Sequence, residues 1–90
     1  METENIKITE PGWQDVATVG GVTLTNGDTY TITLIGNVGG EVCIATSTPD
    51  DGFKGHPVSE NVNFSFTYVT GEKIWVKVSP QLGNAIVVIS

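Results

Sequence analysis

The chain has 90 residues, with ten acidic against four basic, a net charge of −6, one cysteine and no arginine. That length allows a single domain with a modest core. The lone Cys43 excludes an intramolecular disulfide, and one Cys with one His is too few for a four-ligand zinc site.

The acidic balance argues against nucleic acid as a partner, because phosphate binding draws on clustered Lys and Arg. Oligomerisation is the remaining way to supplement a small core. The opening METENIKITE is acidic and polar, without the basic-then-apolar order of a signal peptide. No apolar run approaches the ~20 residues of a membrane helix. A soluble chain made in a cytoplasm, with no membrane partner, is the expectation.

Residues 1–10 read as an N-terminal arm or edge strand, in which Ile6 and Ile8 alternate with Lys7 and Thr9. Such an arm could be ordered by a neighbour. Residues 11–90 read as one β-sandwich domain. Pro11-Gly12 is a turn signal. Trp13, Asp15, Ala17 and Val19 then oppose Gln14, Val16 and Thr18 in an imperfect alternation, predicting a short strand with Trp13 in the core. Gly20-Gly21 breaks it, and Val22–Thr25 is a brief extended piece. Asn26-Gly27-Asp28 is a strong turn signal, since Asn and Gly both accept positive φ.

Thr29–Ile35 predicts a clean strand, with Tyr30, Ile32 and Leu34 on one face and the threonines on the other. Gly36–Gly40 predicts a turn and Glu41–Thr46 another strand. Ser47–Glu60 has two prolines, two glycines and no sustained period, so it predicts a loop of the long irregular kind that is often functional.

Asn61–Ser79 then predicts a hairpin turning at Gly71. Val62, Phe64, Phe66, Tyr68, Ile74, Val76 and Val78 would face the core, with Trp75 outward between Lys73 and Lys77. Pro80–Gly83 turns the chain. In Asn84–Ser90 the run Ile86–Ile89 is apolar on both faces, which suits a central strand or one covered by another subunit. Seven to eight short strands without helical periodicity predict an all-β fold. A small antiparallel β-sandwich of jelly-roll or immunoglobulin-like topology fits best.

Chemistry-bearing constellations are sparse, and no enzyme is expected. His56 is the only histidine and reads as a solvated or turn-packing residue. Cys43 falls inside a strand, where a thiolate is hard to stabilise. Asp50-Asp51, with Asp28, Glu41 or Glu60, could form a calcium site. The D-x-[DN]-x-[DN]-G spacing is not met, however, and turn-forming, solubilising acids are the expected role. No cofactor is called for. Outward Trp75 is either covered by lysine stems or a loop, assigned to the wrong face, or in contact with a neighbour. The candidate interface is Trp75 with Val69, Ile86 and Val88 near the C-terminus, and Ile6 and Ile8 in the arm.

The order W-x-D-V-A-x-V at Trp13–Val19, then E-V-C-I-A at Glu41–Ala45, then F-x-F-x-x-x-x-G-E-K-I-W-V-K at Phe64–Lys77 spans most of the chain. It resembles the small β-sandwich accessory virion proteins of tailed bacteriophages. The resemblance implies a non-enzymatic capsid decoration protein located in the virion. Such a protein is a homo-oligomer, with a trimer favoured, and is partnered by the major capsid protein or another virion protein. The alternative is a tail- or fibre-associated carbohydrate-binding module using Trp13 and Trp75 as sugar platforms.

Overall fold

A computed structural model describes residues 4–8, 12–35, 39–50, 52–59, 62–78 and 85–90. Eight strands and one short helix follow one another: β1 (Glu4–Ile8), β2 (Trp13–Asp15), α1 (Val16–Gly20), β3 (Thr29–Ile35), β4 (Gly40–Ala45), β5 (His56–Val58), β6 (Phe64–Thr67), β7 (Lys73–Val78) and β8 (Ala85–Ile89). They form two antiparallel four-stranded sheets, ordered β1-β8-β3-β6 (sheet A) and β2-β7-β4-β5 (sheet B). First pairs with last, second with seventh, third with sixth and fourth with fifth, the pairs falling alternately in the two sheets. That nesting is the strand order of a jelly roll, which decides between the two topologies left open by the sequence.

Period-two alternation accounts for the core. Tyr30, Ile32 and Leu34 of β3 point inward as predicted, meeting Ile74, Val76 and Val78 of β7 across the sandwich. Ile6 and Ile8 of β1, Val87 and Ile89 of β8, Val42, Val58 and Phe66 complete the filling. β8 lies between β1 and β3, so its double-sided apolar run is that of a central strand. The turn at 25–28 forms as its Asn-Gly predicts, with Gly27 at φ 88° and the Asp28 N–H donating to the Thr25 carbonyl at 3.1 Å.

Four sequence expectations are corrected. Asn61–Ser79 is no hairpin: β6 pairs with β3 in sheet A, while β7 pairs with β4 and β2 in sheet B. The connection is an arch between sheets. It turns at Gly71 (φ 95°) and is clamped to the 25–28 turn by Thr70 N–H donating to Asn26 Oδ1 at 2.9 Å. Alternation reports which residues face a core, and an arch satisfies it as well as a hairpin does.

The second correction is that the strand at Trp13 ends at Asp15, and Val16–Gly20 is a single helical turn. Gly21 closes it in the left-handed region (φ 64°), with main-chain bonds returning to Ala17 and Thr18. The turn carries Val16 into the core, fully buried. Third, the 47–60 loop contains β5, a three-residue edge strand. Pro57 is tolerated there because an edge leaves one side of the strand without ladder partners.

Fourth, Val62 is exposed, lying beyond β6 in a bridge with Ser59. Phe64 and Tyr68 are half-buried and pack against the rim of the core. Pro11, the 36–38 part of the glycine turn, Asp51, Glu60 and the Pro80–Gly83 turn lie outside the described residues.

Candidate contact surface

Residues opposed in an antiparallel pair point to the same face. The outer face of sheet B can therefore be read from its register: Trp13 and Glu41 flank Lys77, Asp15 and Cys43 flank Trp75, and Ala45 opposes Lys73. Both tryptophans lie here, outside the inter-sheet core, so the expectation of a core Trp13 is corrected while the outward assignment of Trp75 holds. Both are nonetheless buried, at 6% and 7% exposure.

For Trp13 the cover is provided by the residues after β4. They fold back as a strap over sheet B. Trp13 Nε1–H donates to the Asp50 carbonyl at 3.1 Å, and Phe53 packs on the Trp13 ring. The Gly55 N–H donates to Glu41 Oε1 at 2.7 Å. Trp75 Nε1–H donates to the Ala45 carbonyl at 3.1 Å, and the Lys73 and Lys77 ammonium groups sit over Trp75 and Trp13 respectively. Lys73 also reaches Asp15 at 4.0 Å.

A sugar platform requires a bare indole face, and these two faces are covered. Cys43 shares this side of the sheet, and partial burial pushes its thiol above the ordinary 9.0. His56 begins β5 with its ring against Phe64, 5.0 Å between centroids, packing across the sheets at their open edge. Glu41 is engaged by the strap, and among the described residues no group of three His, Cys, Asp or Glu could hold a metal. No helix among them is long and apolar enough to cross a membrane.

The outer face of sheet A differs in kind. Its register lays out Lys7, Ile86 and Ile35 in one row, then Asn5, Val88 and Thr33, then Ser90 and Thr31, with Thr29 opposite Thr67 and Thr31 opposite Ser65. Hydroxyl pairs tie β3 to β6 along this face: Thr29 to Thr67 at 3.1 Å and Thr31 to Ser65 at 3.0 Å. Beyond the strand end, Thr33 Oγ1–H donates to Asn63 Oδ1 at 2.7 Å. Polar groups already bonded to one another cost less to remove from water than free ones. Lys7 is the single charged side chain in these rows, and no carboxylate side chain occurs in them, in a chain with ten acids. Depletion of charge is the compositional mark of an interface centre.

The six residues proposed from sequence therefore separate. Ile86 and Val88 lie half-exposed on the sheet A face. Val69 is 53% exposed, but at the tip of the arch, away from that face. Trp75 lies under cover on sheet B, while Ile6 and Ile8 fill the chain's own core. The threonines of β3 and the Ser65–Thr67 partners were not singled out. The available signal was a polar strand face without charge. Comparison with known proteins adds no relative: no family model, curated protein or solved structure matches the chain.

Proposed function

We propose that this protein is a non-enzymatic structural component of a phage virion, binding the head lattice through the outer face of sheet A as a homo-oligomer. The observation that carries the reading is that face, free of carboxylate side chains and lined by Ile35, Ile86, Val88 and paired hydroxyls. A protein with net charge −6 is repelled by like surfaces over most of its own. A face without acidic side chains can approach a second protein without bringing side-chain carboxylates into a dry interface, where they would be costly. The resemblance supplies the head lattice as the partner and the virion as the place of assembly.

The test is co-sedimentation with empty phage heads that lack accessory proteins. The wild-type chain is expected in the pellet and Val88→Glu in the supernatant. Circular dichroism and unfolding midpoint serve as the control, because position 88 points away from the core. Wild-type chain that remains in the supernatant would sink the reading, and so would a folded Val88→Glu that pellets equally.

A further inference from the structure

A sandwich of two open sheets has four edges, and three of them here carry protection against pairing with another chain. β1 bears Glu4 and the outward Lys7. β2 has three residues and passes directly into α1. β5 has three residues, with Pro57 at its centre. Charge, brevity and proline are the recognised means of blunting an edge. β6, the free edge of sheet A beside β3, has four residues and no proline, and no charged residue occurs between Asn61 and Gly71.

The direction of its free main-chain groups follows from the ladder. Thr31 and Ser90 exchange N–H···O bonds, so the odd residues of β3 bond to β8 and the even ones to β6. Tyr30–Phe66 and Ile32–Phe64 are then the bonded pairs, consistent with Tyr68 N–H donating to the Asp28 carbonyl at 2.9 Å. The N–H and C=O groups of Ser65 and Thr67 point away from the sheet, on residues that are exposed.

We infer that β6 adds to β6 of a second copy, antiparallel about a two-fold axis at Phe66, joining two A sheets into one of eight strands. In this register Ser65 opposes Thr67 of the other copy in both directions, using all four outward N–H and C=O groups of each strand. Phe66 opposes its own counterpart, and Phe64 opposes Tyr68. These two half-buried aromatics gain cross-strand ring partners of the kind that stabilise sheets. A second copy is the occupant because the register is self-complementary and the edge is uncharged, so two chains of net charge −6 can meet there without opposing carboxylate side chains. The axis is perpendicular to the sheet, so both hydroxyl-lined faces lie on one side and form a single platform. The inference deepens the proposed function by making a two-fold pair, in place of the trimer implied by the resemblance, the unit that meets the lattice.

Light scattering after size exclusion, with no phage heads present, should give twice the chain mass. Hydrogen exchange should find the Ser65 and Thr67 amides protected at high protein concentration and exposed on dilution. Ser65→Pro removes an N–H that the chain's own ladder does not use, and Thr67→Lys places a charge on the edge. Each should give a single-chain mass with the wild-type dichroism spectrum, and the second serves where proline disturbs folding. A wild-type mass of one or three chains would overturn the inference, as would concentration-independent exchange at Ser65 and Thr67 or a doubled mass in folded Thr67→Lys. Pairing is read without heads and head binding through Val88→Glu, so failure of one leaves the other separately measurable.

Discussion

Gly55→Ala gives the most direct test of the strap over sheet B. A Cβ at position 55 would sit 2.5 Å from the Val42 carbonyl oxygen, 3.0 Å from its carbon and 2.9 Å from Trp13 Cη2. Val42 belongs to the interior of β4 and is paired on both sides, so its main chain cannot give way. The strap must lift instead. Lifting breaks the Gly55 N–H to Glu41 bond, a charge-assisted contact of about 1.5–3 kcal/mol, and strains the Trp13 to Asp50 bond, about 1 kcal/mol. Replacing glycine stabilises by about 0.4–1 kcal/mol through the unfolded chain. The net loss is then about 2–3 kcal/mol, or roughly 10–20 °C in Tm for a domain of this size. Urea unfolding followed by tryptophan fluorescence reads both parts, the lower midpoint and a red-shifted native emission as Trp13 meets water. A midpoint within ~0.5 kcal/mol of wild type, with unchanged emission, would refute the argument, since losses that small are ordinary for surface substitutions.

Two further outcomes follow from burial and facing. The Cys43 thiol is raised above 9.0 in the folded chain, so the folded state holds its proton more tightly than the unfolded state. That contribution to stability is fully present below the unfolded pKa and is lost as pH rises from about 9 through the folded value. Reaction of native protein with a thiol reagent should reach half its maximal rate at a higher pH than in the urea-unfolded chain, and coincident profiles would contradict the assignment. Ile8→Ala should cost about 2–5 kcal/mol, as for fully buried aliphatics, and Ile86→Ala less than about 1 kcal/mol. Equal urea midpoints for these two variants would show the faces of sheet A to be misassigned.

The facing of strands was legible in the sequence because a two-residue period is local. Tyr30, Ile32 and Leu34, and likewise Ile74, Val76 and Val78, declare their inner face whatever they pair with. Pairing is a long-range property, and the 61–79 arch shows the limit. Its aromatic-rich alternation is the same whether β7 returns beside β6 or crosses to the other sheet. α1 escaped notice because five residues make little more than one turn, too few for a 3.6-residue period to register. The cover over Trp13 was illegible for a related reason. The 47–60 stretch has no period of its own, and its placement depends on contacts such as Trp13 to Asp50, 37 residues apart. Outward direction could be read for Trp75, but not exposure.

That distinction decides where a partner can bind. An outward tryptophan suggests a contact only while nothing of the chain's own lies over it, and here its indole N–H and flanking lysines are already engaged. Sheet B has in effect completed a second small apolar layer beneath its strap. Sheet A has no such cover over its described residues, and it is also the sheet with the unprotected β6 edge. Its outer residues are the ones a hydropathy scan passes over, threonines and serines of middling polarity. Cross-strand bonding leaves the Thr29, Thr31 and Thr33 hydroxyls with partners on the surface. A face that has met part of its hydrogen-bonding demand internally, and that opposes no carboxylates to a neighbour, is the cheaper one to dehydrate. The same reasoning applies to its edge, where the unpaired groups of Ser65 and Thr67 can be satisfied by another strand as well as by water.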